Sequence, residues 1–337
     1  MRISDLKNLT VLYIGEDIGN SLSRFNYLKV YFSKSINLSF NNLYQSLSGK
    51  ILYHSFKGIF YKRCSDMVIE YYNKFKPDIV WIEMGMEIDN KVIEYIKLNN
   101  TFIVNTYSDG FTSTITHRYS ENYNKSIPYF DIVFTPRESD YPLYKSYGAK
   151  KVIKFWKGFD PDNISCIKKP ILTLDFIFAG HKEDNRLTDL KYVVERLELG
   201  YKIFGGGWNK SGLKNTYPSL SFIKYGSVFE EAKIGINYFS KWHNDTQNSR
   251  LFEIPASGTF MLCEESSDAL ECFQSGIEAE FFKSKEELLD KLKFYSKNDI
   301  PRNKIAEKGF EKARKNYSNK RRVEQMMEII ASEMSHK

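Results

Sequence analysis

The chain has 337 residues, 42% of them hydrophobic, 15% aromatic and 27% charged, with a formal net charge of +7. The length exceeds what one ordinary core holds and predicts two domains, while the composition excludes a disordered or low-complexity protein. No run of about 18 apolar residues occurs, and MRISDLKNLTVLYIG lacks the apolar centre and cleavage site of a secretory signal, so a cytoplasmic protein is expected.

In chain order, LTVLYIG (9–15) reads as a short strand, followed by the polar EDIGNSLSR and an amphipathic helix from about Ser23 to Phe32. In SDMVIEYYNKF, Val68, Tyr71, Tyr72 and Phe75 recur at helical spacing, and Pro77 stops that helix. DIVWIEMG (78–85) is a buried strand, Asp89 an N-cap, and Val92, Ile93 and Ile96 the inner face of the next helix. TFIVNTYSDG (101–110), FDIVFTPRES (130–139) and KKVIKFWKG (150–158) add three strands, and strands alternating with helices at this spacing predict a parallel, doubly wound sheet.

After the polar, proline-bearing GFDPDNISCIKKP (158–170) the pattern restarts with the strand LDFIFAG (174–180). DNRLTDLKYVVERLELG reads as a helix closed by Gly200, and YKIFGGG, AKIGINYF (232–239) and TFMLCE (259–264) as strands. Ser284 with Glu287 forms a capping box ahead of Leu288, Leu289, Leu292 and Tyr295. Between Arg302 and Arg322 nine basic residues face only Glu307 and Glu311. A solvated helix face is one reading of that stretch; the sharper one is attraction to an anionic membrane surface or to phosphorylated substrates. Nucleic acid is not expected, because aromatic residues are not interleaved with these charges. A last helix carries Val323, Met326, Met327 and Ile330. Cys64, Cys166, Cys263 and Cys272 form no CxxC and no HExxH occurs, so neither a disulfide framework nor a zinc site is expected.

Open parallel sheets bind ligands beyond the C-terminal ends of their strands, so candidate residues should follow strands. NSRLFEIPASG (248–258) meets that condition. A helix starting near Asn248 would offer the N–H groups of Asn248, Ser249 and Arg250, with the Arg250 guanidinium, to a phosphate or diphosphate. Glu253, one turn along, would accept two hydrogen bonds from a vicinal diol such as a ribose. Pro255 is tolerable early in a short helix and Gly258 suits a left-handed stop. A surface Arg–Glu pair at a helix end is the alternative. The DPD at 160–162 resembles a metal-binding DxD, yet falls in the linker and is set aside.

NSRLFEIPASGTFMLCE, with FKPDIVWIEMG, NTYSDG, SIPYFDIVFTPRESD, GAKKVIKFWKGFDPD, DFIFAGHKEDNR and YKIFGGGW, resembles the glycosyltransferases related to the spore-maturation protein CgeB, which are similar to the family 4 set of GT-B enzymes. The match runs in order from about residue 75 to 320. The resemblance implies an α/β GT-B fold, two Rossmann-like doubly wound parallel-sheet domains facing a central cleft. Residues 1–160 would bind the acceptor and 161–319 the nucleotide-sugar donor, with a helix at about 320–337 packing back on the first domain. It implies a metal-independent, retaining hexosyltransferase without cofactor, using a nucleotide-diphosphate sugar such as a UDP-sugar. A glycan or lipid-linked acceptor in cell-surface polysaccharide synthesis is implied, with a peripheral position at the inner face of the membrane.

Residue by residue, the resemblance puts Glu253 at the ribose-contacting acid and Asp245 at its catalytic partner seven residues earlier, an aspartate where the family has glutamate. Among AGHKEDNR it implies donor-phosphate contacts from Lys182 and Arg186, with a surface charge as the other reading of Lys182. Gly205 and Gly206 would admit the nucleotide close to the backbone or form a plain turn. On the acceptor side Asp109 would hold or deprotonate a hydroxyl, Glu83 would bind beside it, and Gly19 and Asn20 would make room; a loop-capping carboxylate is the other reading of both acids. A GT-B-like nucleotide-sugar epimerase and an inactive nucleotide-sugar or glycan-binding module are the alternatives.

Overall fold

The computed structural model describes residues 1–109, 120–164, 173–220 and 226–335. The chain divides into two compact units, residues 1–155 with 322–337, and residues 156–321. The first unit carries β1 (Thr10–Ile14), α1 (Gly19–Leu28), β2 (Lys34–Leu38), α2 (Asn41–Gln45), α3 (Leu47–Ser55), α4 (Lys57–Phe75), β3 (Ile79–Glu83), α5 (Asn90–Leu98), β4 (Phe102–Thr106), α6 (Ser120–Ser126), β5 (Ile132–Thr135), α7 (Tyr141–Ser146) and β6 (Val152–Lys154). The second carries β7 (Leu174–Ala179), α8 (Asp184–Val194), β8 (Tyr201–Phe204), β9 (Thr216–Tyr217), β10 (Ala232–Asn237), α9 (Arg250–Ala256), β11 (Phe260–Glu264), α10 (Ser267–Cys272), β12 (Glu280–Phe282), α11 (Lys285–Lys297) and α12 (Asp299–Asn316), after which comes α13 (Asn319–Met334).

Each unit is built on a six-stranded sheet, in the orders β2-β1-β3-β4-β5-β6 and β12-β11-β10-β7-β8-β9. The pairings are parallel, as expected for strands apolar on both faces. The strand order reverses between β1 and β3 in the first sheet and between β7 and β10 in the second. Those two points are where a doubly wound sheet opens a crevice at its carboxyl edge.

Local signals explain most boundaries. Lys76 turns left-handed at φ 44° to end α4 before Pro77. Asp89 caps α5 by accepting the Lys91 N–H at 2.9 Å. Ser284 Oγ accepts the Glu287 N–H at 3.3 Å, but the Glu287 carboxylate reaches the N–H of Lys283 instead of that of Ser284. Two expectations fail. The first helix starts at Gly19, ahead of Ser23. The helix after β7 stops at Val194, well before Gly200, whose N–H instead donates to Asp175 Oδ2. The strand β2, reading KSINL, was not anticipated, because its half-exposed edge position leaves no apolar run. The apolar face of α13 lies in the first unit's core, where Val323, Met326, Met327, Ile330 and Ala331 cluster with Leu6, Tyr13, Trp81 and Phe134.

Candidate functional site

At the reversal point of the second sheet, two loops meet: the one after β7, carrying His181, Lys182 and Glu183, and the one after β10, leading into α9. Asn248 fixes the start of α9. Its Nδ2 donates to Asn237 Oδ1 at 3.0 Å and to the Tyr238 carbonyl at 2.9 Å, while its Oδ1 accepts the Leu251 N–H at 3.1 Å. The helix therefore begins at Arg250, with Ser249 as a buried N-cap whose carbonyl takes the N–H groups of Phe252 and Glu253. Pro255 is the sixth helical residue, past the turn where a missing N–H costs nothing, so the helix forgoes one internal bond there. Gly258, at φ 80°, makes the expected left-handed stop.

Glu253 is only 8% exposed, and its Oε2 has no hydrogen-bond partner among the described residues. Burial pushes its carboxyl up from the ordinary carboxylate value, and the nearby Arg250 charge opposes the shift. Arg186, in the first turn of α8, is buried as well. It donates through Nη1 to the His181 carbonyl at 2.8 Å and pairs with Glu183 at 2.9 Å, while its Nε has no partner among the described residues. Burial and the Arg250 charge push its guanidinium down from the arginine range, against the pull of Glu183, Glu264 and Asp245. Arg186, Arg250, Asp245 and Glu264 thus share one electrostatic neighbourhood.

A buried cationic N–H and a buried carboxylate oxygen both left open are costly unless something completes them. The complement of the first is an anion, and of the second a hydroxyl or N–H donor. Glu264 was not among the expected residues. It accepts the Phe239 N–H at 2.9 Å and pairs with Lys241 at 2.7 Å, and its only signal in the sequence is its place as the last residue of TFMLCE.

Other expected residues take different parts. Lys182 lies 3.5 Å from Asp184, at the edge of the group. A Cβ on Gly205 would stand 2.0 Å from the Gly180 carbonyl oxygen, and one on Gly206 2.6 Å from His181 Nδ1. Contact between the two loops is therefore reason enough for both glycines.

In the first unit, Glu83 ends β3 at the reversal point, but its carboxylate is taken up internally. It accepts the Tyr13 hydroxyl at 2.6 Å and forms a buried ion pair with Arg24. The carboxylate expected to face the acceptor thus ties β1, α1 and β3 together. Gly19, at φ 63°, and the exposed Asn20 open α1, and Asp109 is exposed after β4. Beside them is Glu16, which the sequence reading passed over inside EDIG. Desolvation, then the charges of Glu87, Glu83, Asp17 and Asp109, push its carboxyl upward. A cavity of about 620 Å³ lined by Lys76, Asp78 and Asn100 opens at the opposite end of this sheet, away from these loops.

The basic stretch 302–322 is mixed: Lys304, Lys315, Lys320 and Arg321 are exposed, while the others are engaged within the protein. Arg302 is buried on the Tyr295 carbonyl, Arg314 donates to the carbonyls of Ala256 and Ile164, Lys312 pairs with Glu278, Lys308 pairs with Glu311, and Arg322 is buried. Among the described residues no group of His, Cys, Asp and Glu is arranged to hold a metal, and no helix is long and apolar enough to cross a membrane.

A family model described as "Glycosyl transferase-like" matches residues 186–328, which span most of the second sheet and both arginines. No curated protein matches the chain. Among solved structures, a glycosyltransferase from Rickettsia africae superposes with a TM-score of 0.68 at 13% identity, covering 98% of this chain and 100% of its own. Sucrose-phosphate synthase from Thermosynechococcus elongatus gives 0.68 at 8%, covering 98% and 100%. Anabaena HepE, solved in complex with UDP and glucose, gives 0.63 at 12%, covering 96% and 100%. At these identities the likeness establishes the fold, which is GT-B.

Proposed function

We propose that the protein is a glycosyltransferase that uses a nucleotide-diphosphate sugar, with the donor nucleotide held by the unit of residues 156–321. The observation that carries this reading is the buried, unpartnered Oε2 of Glu253 on the same short helix as Arg250. A ribose diol supplies the hydroxyl donors that such an oxygen lacks, and a diphosphate supplies the anion that Arg186 Nε lacks. The glycosyltransferase-like match over 186–328 and the UDP seen in HepE support the same assignment.

In this reading Arg186 and Arg250 counter the charge that grows on the departing diphosphate, an electrostatic role that acts on the transition state. Because guanidinium groups supply that countercharge, turnover is expected to survive EDTA. Ser249 and Lys182 flank the donor, and Asp245 stands beside the reacting sugar. Asp109 and Glu16 are the candidates for accepting a proton from the acceptor hydroxyl. We assign a glycan or lipid-linked acceptor and a retaining outcome to the same scheme.

A thermal-shift panel of UDP, GDP, ADP, CMP and dTDP tests the proposal. A ligand at 100 times its dissociation constant adds about 2.7 kcal/mol of stability. One diphosphate should raise the midpoint of the wild type and fail with Glu253→Ala. No response to any nucleotide would overturn the donor-site assignment, and consumption of a nucleotide sugar without transfer to an acceptor would favour an epimerase.

A further inference from the structure

Between Asp17 and Asp66 the sequence has seven basic residues and no acidic one. Part of this stretch folds into the elbow formed by α3 and α4. The inner side of the elbow is an aromatic cluster: Tyr44 packs on Tyr53 at 5.2 Å and on Phe60 at 4.7 Å between ring centres. Gly49 turns inward too, where a Cβ would stand 1.6 Å from the Leu43 carbonyl oxygen. The outer side is apolar and open. Leu47 is 79% exposed, Ile51 52%, Phe56 55% and Ile59 50%. Leu47 and Ile51 are one turn apart on α3, Phe56 is the elbow itself and Ile59 follows in the first turn of α4. Lys50, His54, Lys62 and Arg63 are exposed on the same two helices, and Lys57 stands over the Tyr53 ring. Lys62 pairs with Asp66 at 2.7 Å.

An exposed apolar ridge bordered by cations, with no acidic residue from 18 to 65 in the sequence, has the chemistry of an interfacial membrane anchor: apolar side chains enter the headgroup boundary and lysines or arginines meet anionic lipid. We propose that the α3–α4 elbow docks on an anionic phospholipid surface. The elbow adjoins the reversal-point loops of the first sheet, with Asn41 bonded to Asp17 and Tyr44 donating to Glu87 at 2.8 Å. A docked elbow therefore brings Glu16 and Asp109 near the bilayer surface, which makes the acceptor lipid-anchored; this last step rests on the transferase reading, whereas the docking does not.

The test is sedimentation with vesicles of phosphatidylcholine, with and without phosphatidylglycerol. The wild type should pellet with anionic vesicles at low salt, less at high salt, and not with neutral ones. Leu47→Ser/Ile51→Ser and Lys50→Glu/Arg63→Glu should each lower the partition about tenfold, as loss of the apolar or the cationic half of an interfacial anchor does. Lys304→Glu/Lys320→Glu, in the other basic stretch, should leave it unchanged. All variants should keep the nucleotide-induced thermal shift, so a failed docking test and a failed donor site are told apart. Absence of wild-type binding, equal binding by Leu47→Ser/Ile51→Ser, or a dimer in gel filtration that this variant abolishes would overturn the proposal.

Discussion

The hydroxyl of Tyr13 donates to Glu83 at 2.6 Å, and Arg24 closes an ion pair on the same carboxylate oxygen. Three elements that diverge at the reversal point of the first sheet, β1, α1 and β3, are thereby joined through one buried anion. Breaking such a pair from one side leaves an uncompensated charge. Arg24→Met is expected to cost about 3–5 kcal/mol, and Tyr13→Phe about 1–3 kcal/mol. Arg24→Met/Glu83→Gln should cost less than Arg24→Met alone. Urea denaturation of the three variants checks this; equal cost in the single and double variants would show that Glu83 carries no charge in the fold.

Glu253 gives a pH signature in the ligand-free protein. Its folded-state pKa is raised above the ordinary 4.5 by burial, so its ionised form opposes folding. That cost is absent below the unfolded pKa, grows as the pH rises between the two pKa values, and is complete above the folded one. Glu253→Gln should therefore be more stable than the wild type at neutral pH, with the difference vanishing as the pH falls below about 4.5. Melting curves from acid to neutral pH measure it, and a constant difference across the range would refute the assignment.

Ligand binding should show the opposite preference. Glu253→Gln keeps one acceptor and loses the charge, and Glu253→Ala loses both, so nucleotide affinity should fall about tenfold in the first and more in the second, as expected for hydrogen bonds to a charged group of about 1.5–3 kcal/mol. Titration calorimetry reads this directly.

Arg186 holds the His181 carbonyl and Glu183 with its Nη atoms while its Nε stays open. A lysine cannot reproduce that fork. Arg186→Lys should weaken diphosphate binding about as much as Arg186→Met, whereas a nucleoside lacking phosphate should bind all three proteins alike.

Gly205 has φ 147°, with the Gly180 carbonyl where a side chain would begin. Gly205→Ala should destabilise by about 1–3 kcal/mol from backbone strain alone, and more from the collision. Gly58, with open space around its Cβ position, is the control: Gly58→Ala should leave the midpoint within a degree or two or raise it.

Where periodicity coincided with a cap or a breaker, the sequence was readable: Asp89, Ser284 and the Lys76–Pro77 break are local chemistry, and local chemistry needs no tertiary knowledge. The placement of Glu253 and Arg250 on one short helix behind an evident strand was legible for a similar reason. What escaped depended on partners far along the chain. Glu83 reads as a free strand-end acid until Arg24 is placed beside it. Arg302, Lys312 and Arg314 read as part of a charged face until Tyr295, Glu278, Ala256 and Ile164 are found against them. The exposed side of α3 was invisible because LSGKILYHS repeats its apolar residues as a core helix would; only the structure tells which side Tyr53 takes.

The placement of α13 bears on how the chain is made. Residues 1–155 leave the ribosome first, yet the core around Leu6, Tyr13 and Trp81 is filled in part by Val323, Met326, Met327 and Ile330. Domains usually fold as units in order of synthesis. Here the earlier-made unit waits, its apolar surface uncovered, while the 156–321 unit is translated and able to fold, so the nascent chain should depend on chaperone protection for longer than its order along the message implies.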